Sequence, residues 1–285
     1  MKPIIIAEAC CNHMGNIKIA KKMIKNAKKN GADYIKFQKR CISEWVEHKP
    51  EVYLKPHINP KNSFGKTYKE HREKLEFTYE QHKQLKEYCE NIGIEYCCSV
   101  FDVTSAKEIV ALNPKLIKIP SACNLNFDLL DFLCKNYYGE IHISFGMTQR
   151  CNIKKIIDYF IKQKRNKDLV IYLCTSNYPL KPDDVCLNEI TYLFNKYGNY
   201  VKAIGYSGHH LGINIDIAAY ALGASFLERH FTLNKKYKGT DQEASITPKE
   251  LYNLANNLDE VSKCLKYKSD DILECEKANE EKLKW

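Results

Sequence analysis

"VKAIGYSGHH", residues 201–210, and "SFLERHFT", residues 225–232, are two short runs rich in apolar and aromatic residues. The first leads into Ser207, Gly208, His209 and His210, and the second into Glu228, Arg229 and His230. Six further strand-like runs precede them: 3–9 "PIIIAEA", 33–38 "DYIKFQ", 95–100 "EYCCSV", 116–121 "LIKIPS", 140–146 "EIHISFG" and 169–176 "LVIYLCTS". Helix-period segments such as "IKIAKKMIKNAKKN", "TYEQHKQLKEYCENIG" and "CNIKKIIDYFIKQ" lie between them, and another helix pattern follows "ITPKELYNLANNL". Eight strands alternating with helices predict a single-domain (β/α)8 TIM barrel, an α/β fold. Two open-sheet domains would also alternate, but there is no linker, and no G-x-G-x-x-G follows a strand.

Composition narrows the class. With 44% hydrophobic and 28% charged residues, the 285-residue chain reads as an ordinary globular protein. No apolar stretch approaches the roughly 20 residues of a membrane span. The opening "MKPIIIAEAC" is interrupted by Glu8, too early for a secretory h-region, so a cytoplasmic location is expected. Thirteen cysteines form no C-x-x-C pair. Cys10, Cys97, Cys98 and Cys174 sit in or beside apolar runs, where reduced structural thiols are expected rather than reactive or metal-bound ones. The excess of 44 basic over 35 acidic residues is mostly lysine spread along helices. It reads as a solvated helix face or as attraction for anionic substrates. No nucleic-acid motif is present.

Barrel enzymes carry their sites at the C-terminal ends of the strands. Those ends supply Glu8, Asn12 and His13; Lys36 and Gln38; Ser99; Lys118 and Ser121; Ser144; Thr175, Ser176 and Tyr178; Ser207 and His209; and His230. Lysines inside apolar strands are rarely buried unless paired. Lys36 and Lys118 therefore face either an anion in the barrel mouth or carboxylates such as Glu8 and Glu228. Several strand-end serines strengthen the anion reading, since hydroxyls and backbone N–H groups grip phosphate oxygens. His209 and His230, on neighbouring strand ends, either hold a catalytic metal with open positions or are simply hydrogen-bonded side chains. His210 should point elsewhere.

These residues fall within longer motifs: "IIIAEACCNHMGN", "GADYIKFQKR", "SFGKTYKEHREKLEF", "CTSNYPL", "GYSGHHLGI" and "LGASFLERHFTLNKKYKGTDQEAS". Over nearly its whole length the chain resembles sialic acid synthases, and the middle stretch resembles the animal-type enzymes in particular. The resemblance implies condensation of phosphoenolpyruvate with N-acetylmannosamine or its 6-phosphate, releasing phosphate. Alternatives are the same chemistry on another sugar, giving legionaminic, pseudaminic or Kdn-type acids, and a non-catalytic barrel that binds phosphoenolpyruvate or sugar. It assigns Lys36, Ser99, Lys118, Ser121, Ser144 and Ser207 to phosphoenolpyruvate, and Gln38 and Ser176 to the substrate site. Glu8, Tyr178 and Asp241 handle the sugar and the chemistry. His209 and His230 hold a divalent metal, Mn2+ or Mg2+. A homo-oligomer, most simply a dimer, is implied.

Three departures carry expectations. Cys123 stands where relatives usually have an acidic residue, Gln242 where "GTDH" would be usual, and Cys10 and Cys11 where aliphatic residues are common. A small C-terminal antifreeze-like domain, normal in sialic acid synthases, is not expected after the charged helix "DDILECEKANEEKLKW". Residues 39–78 are too long for an ordinary βα loop and suggest an edge of the binding site. Within them Tyr53, His57, Lys66, Tyr68 and Arg72 are expected to reach a polar substrate.

Overall fold

The computed structural model describes residues 2–285. Eight parallel strands close into a barrel in sequence order: β1 (Ile4–Glu8), β2 (Tyr34–Lys39), β3 (Glu95–Val100), β4 (Leu116–Ile119), β5 (Glu140–Ser144), β6 (Leu169–Cys174), β7 (Ala203–Gly208) and β8 (Phe226–His230). The strands match the eight apolar runs, with no end displaced by more than two residues. The β4 run stops earlier because Pro120 cannot donate to a ladder, and Ser121–Cys123 turn into a 3-10 helix.

The helices are α1 (Ile17–Lys29), α2 (Ile42–His48), α3 (Pro50–Tyr53), α4 (Tyr68–Leu75), α5 (Tyr79–Ile92), α6 (Val103–Leu112), α7 (Phe127–Asn136), α8 (Arg150–Lys162), α9 (Asn188–Tyr197), α10 (Asn214–Ala221), α11 (Pro248–Cys264) and α12 (Glu274–Leu283). Their starts follow from sequence. Asn16 accepts hydrogen bonds from the Lys18 and Ile19 amides, and Thr78–Gln81 and Thr247–Glu250 form capping boxes on α5 and α11. Lys18, Lys22, Lys25, Lys28 and Lys29 of α1 face solvent, which accounts for part of the basic excess as a solvated face. Among the described residues, no helix is long and apolar enough to cross a membrane.

Strand residues alternate between the helix layer and the barrel interior. Ile5, Ile35, Ile117, Ile141, Ile171 and Leu227 point outward into one large core with the helices. Ile6, Cys97, Leu116, Val170, Tyr172 and Phe226 fill the barrel interior. The segment between β2 and α5 is a folded element rather than an open loop. It contains α2, α3, α4 and an antiparallel bridge between Pro56 and Thr67. Glu76 fastens it to β2 by accepting from Arg40 Nη1 at 3.0 Å and Arg72 Nη2 at 2.9 Å.

Candidate active site at the barrel mouth

A cavity of about 370 Å³ opens at the C-terminal ends of the strands. All thirteen residues singled out above as catalytic, substrate-binding or metal-holding line it: Glu8, Lys36, Gln38, Ser99, Lys118, Ser121, Ser144, Ser176, Tyr178, Ser207, His209, His230 and Asp241. All but Asp241, which comes from the loop after β8, come together because they lie at or just beyond the C-terminal ends of successive strands. Glu8 and Lys36 are register partners, as are Ser99 and Lys118, Ser207 and Glu228, and Glu8 and His230.

The two lysines meet both expectations at once. They line the cavity, yet each is held by carboxylate. Lys36 Nζ lies 2.7 Å from Glu8 Oε2 and 2.9 Å from Glu228 Oε2, and Lys118 Nζ lies 2.8 Å from the same Glu228 oxygen. Lys118 also sits 3.8 Å above the Tyr172 ring. Burial alone would raise the Glu228 carboxyl, but Lys118 and Lys36 overcome it and hold the group well below the ordinary carboxylate range. Burial lowers Lys118, and Glu228 only partly offsets this. For Lys36, Glu228 and Glu8 outweigh burial and the ammonium is held firmly charged. Burial raises Glu8 above its usual value despite Lys36, so it is the carboxyl best placed to carry a proton. Ser207 Oγ donates to Glu228 Oε1 at 3.0 Å. Sequence reasoning gave Glu228 only as a counter-ion. Its place two residues before His230 on the inward face of β8 was the available signal.

Gly146 follows β5 at a point where a side chain would not fit. An added Cβ would stand 2.3 Å from Ser176 Oγ and 2.8 Å from Ser121 Oγ. Its absence lets both hydroxyls approach the cavity, while the Gly146 amide donates to Ser121 Oγ at 2.9 Å.

His209, just beyond β7, and His230, the last residue of β8, have ring centroids 5.3 Å apart. His209 Nδ1 donates to the Thr175 carbonyl at 2.8 Å, which leaves the Nε2 lone pair available. Burial, with His230 nearby, lowers the His209 pKa to about 3, so the ring is neutral at pH 7. His230 Nδ1 is buried and has no hydrogen-bond partner among the described residues. Two neighbouring imidazoles, each with an unused ring nitrogen, fit a divalent cation. The Tyr178 ring lies 4.1 Å from that of His209, and Tyr178 is followed by a cis proline.

Asp241 reaches the cavity from the loop after β8. Cys10 Sγ donates to its Oδ2 at 2.7 Å, Cys11 Sγ donates to the same oxygen at 3.4 Å, and Thr240 Oγ1 donates to Oδ1 at 2.8 Å. Burial opposes ionisation of Asp241, but His230 and these donors hold its pKa below the usual value. All thirteen cysteines are free thiols, as expected, and Cys97 and Cys98 are wholly buried. Cys10 and Cys174, by contrast, line the cavity.

Some strand-end residues do not join the site. Asn12 Nδ2 donates to the Phe231 carbonyl and Ser245 Oγ, and His13 stacks on Phe77 with ring centroids 4.2 Å apart. The Thr175 side chain donates to the Asp184 carbonyl, and only the Thr175 backbone serves the site. His210 is buried against Tyr206, Arg229 and Asp216 and so points elsewhere than the cavity, as expected. Of the insertion residues, His57, Tyr68 and Arg72 line the cavity; Lys66 faces solvent, and Tyr53 is buried with its ring 5.0 Å from that of Tyr68. Arg40 and His71 also line the cavity and carried no sequence signal of their own.

Cys123 is buried, and burial pushes its thiol pKa up to about 12. It faces a neighbouring hollow of about 770 Å³ shared with Trp45, Lys49 and Asn126 rather than the main cavity. Nearby Asp102 does not stand in as a free acid, because its oxygens accept from the amides of Ser105 and Cys41. Gln242 is buried and bonded to Thr232, a structural role.

A closed parallel barrel whose charged and imidazole groups converge at the strand C-termini has the architecture of barrel enzymes. The chain belongs to the NeuB family, whose profile matches residues 23–270. It is 39% identical over 279 residues to the N-acetylneuraminate-9-phosphate synthase of Mus musculus, covering 98% of this chain and 76% of the mouse protein. It is 32% identical to the N,N'-diacetyllegionaminic acid synthase of Campylobacter jejuni, covering 99% of this chain and 82% of that protein. Among solved structures, the sialic acid synthetase of Leptospira borgpetersenii in complex with citrate superposes with a TM-score of 0.84 at 28% identity, covering 99% and 91% of the two chains.

Proposed function

We propose that this chain is a synthase that condenses phosphoenolpyruvate with an N-acetylmannosamine-type sugar, free or as its 6-phosphate, to give a sialic acid or its 9-phosphate and inorganic phosphate. The observation that carries the reading is the Lys36–Glu8–Glu228–Lys118 network, ringed by strand-end serines and set directly below the His209–His230 pair.

The alkene carbon of phosphoenolpyruvate attacks the aldehyde carbon of the open-chain sugar. Water adds at the adjacent cationic carbon, and phosphate leaves by C–O cleavage. Lys36 and Lys118 neutralise the phosphate and carboxylate of the substrate and stabilise the departing anion. Ser99, Ser121, Ser144 and Ser207 donate to its oxygens, with Ser207 exchanging its present bond to Glu228. Glu8, whose carboxyl is raised, holds or accepts a proton in the cavity. Asp241 and Gln38 accept and donate hydrogen bonds at the sugar, and Tyr178 packs on it beside His209. His209 and His230 would hold Mn2+ or Mg2+, and the bound cation would supply Lewis-acid polarisation of the aldehyde oxygen.

Arg40 and Arg72 lie on the insertion side of the same cavity and share the one carboxylate of Glu76. Two guanidiniums on one carboxylate leave a positive edge that favours an acceptor carrying a phosphate over a neutral sugar. Phosphate release should be measured with phosphoenolpyruvate and a divalent metal against mannose, N-acetylmannosamine, its 6-phosphate and precursors of legionaminic and pseudaminic acids. Sugar-dependent release, greatest with the phosphorylated N-acetyl sugar, is the expected result. Phosphoenolpyruvate binding without release for any sugar would replace the synthase with a non-catalytic binding barrel.

A further inference from the structure

We propose that Cys10, Cys11 and Asp241 form a binding site for a thiophilic divalent cation of the zinc class, beside the histidine pair, whose occupation withdraws Asp241 from the sugar. Among the described residues these three are the one His/Cys/Asp/Glu group in which each residue offers a ligand atom within 4.8 Å of the others.

The spacing suits a tetrahedral ion. With metal–sulfur bonds of about 2.3 Å and metal–oxygen bonds of about 2.0 Å, neighbouring sulfur and oxygen ligands stand roughly 3.5 Å apart. Cys11 Sγ is already 3.4 Å from Asp241 Oδ2. Cys10 Sγ, now a 2.7 Å donor to that oxygen, has only to move outward when its proton leaves. A fourth donor, shared with the histidine pair, faces the cluster: His230 Nδ1 is buried, lacks a hydrogen-bond partner among the described residues, and lies 3.8 Å from Asp241 Oδ2.

The surroundings also suit a metal site. Thr240 Oγ1 orients Asp241 through Oδ1, and Gln38 Nε2 donates to Cys10 Sγ at 2.9 Å, so the ligands have outer partners that fix their direction. Cys10, Thr240 and Asp241 line the open cavity, which gives an ion access from solvent. Binding exchanges two thiol protons, released to the buffer, for two sulfur–metal bonds, with no change of oxidation state. Paired thiolates favour zinc or cadmium over manganese or magnesium, which prefer oxygen.

Binding stands on these atoms alone, whereas its effect on turnover rests on the synthase reading. The full chain, reduced and metal-free, should be titrated with cadmium(II) alone while the ultraviolet sulfur-to-cadmium charge-transfer band is followed. Wild type should take up one tight equivalent with a two-thiolate band. Cys10→Gly/Cys11→Ala should lose it, and His209→Ala should keep it. The glycine suits the φ of +44° at Cys10. Exposed cysteines such as Cys151 and Cys186 contribute equally to all three proteins, so the difference between them is the reading. Should the double variant not fold, Asp241→Asn keeps both thiols and should weaken cadmium binding at least about tenfold. An equal band in the double variant, loss of the band in His209→Ala, or unchanged affinity in Asp241→Asn would overturn the site. In a separate arm, equimolar zinc should inhibit sugar-dependent phosphate release, reversibly by chelation. Absence of any release there counts against the synthase and leaves the cadmium result standing.

Discussion

On the inner face of the barrel, Ile6, Tyr34, Leu116 and Phe226 pack apolar surface. Two residues further along the same strands stand Glu8, Lys36, Lys118 and Glu228. One pleat repeat, about 7 Å, separates an oil-like plug from a charged network. Another step brings Cys10, Gln38, His209 and His230 at the rim. The plug excludes water from below. The charges above it therefore act in a low dielectric, where they must be paired when empty and can grip an anion strongly when it arrives. Tyr172 links the layers. Its ring lies under Lys118, and its hydroxyl pairs with His142 Nδ1 at 2.8 Å.

If the rim serves chemistry and the lower layers serve stability, His209→Ala and His230→Ala should separate the two. Each should cut metal-dependent turnover at least about a thousandfold, roughly 4 kcal/mol, while the unfolding midpoint of the metal-free protein barely moves. Initial rates, bound-metal analysis and thermal melts check this. Full activity and metal content in either variant would remove the histidine pair from the mechanism.

Glu228→Ala tests the middle layer. It leaves Lys118 without its carboxylate and Lys36 with only Glu8, so a loss of about 3–5 kcal/mol in urea unfolding is expected. Adding Lys118→Met should recover much of that loss. A cost below about 1 kcal/mol would mean that water already screens the network and that the contrast between the layers is weak.

The plug should respond to acid instead. Tyr172 O–H donates to His142 Nδ1, which leaves His142 Nε2–H to donate to Glu140 at 3.2 Å. Burial lowers the His142 pKa to about 4, partly offset by the bond to Glu140. The folded state thus refuses a proton that the unfolded chain accepts below about pH 6.5. Its stability is fully present above that value and is lost as pH falls from 6.5 toward 4, by about 3 kcal/mol for this one group. His142→Gln should flatten the acid limb of a stability–pH curve. An unchanged limb would shift the effect to His13 or His82, which are buried in the same neutral state.

The strand-end positions were legible because period-2 patterning, strand order and the barrel rule together decide which side chains reach the mouth. The pairing state of the lysines was not. An apolar run with one lysine is compatible with either a counter-ion or a substrate, and only the register across β8 and β1 places both carboxylates beside them. Arg40 and His71 were invisible for another reason: the fold of α2–α4 over the mouth, not strand patterning, brings them to the cavity. Cys10 and Cys11 read as small apolar residues because their partner, Asp241, lies more than two hundred residues away in sequence.

The smallest effect asks what the middle layer does when substrate is present. Lys118 has one carboxylate partner and Lys36 has two, so Lys118 is the less committed cation. Methionine at either position keeps the apolar stem and removes the charge. Glu228 then retains the other lysine, so little stability should be lost. A charge-assisted contact with an anion contributes about 1.5–3 kcal/mol, so phosphoenolpyruvate affinity should fall at least about tenfold in Lys118→Met and Lys36→Met. Calorimetric titration with phosphoenolpyruvate in the absence of sugar reads this directly. Affinity unchanged in both variants would make the lysines counter-ions for Glu8 and Glu228 and nothing more, and the middle layer would then belong with the plug.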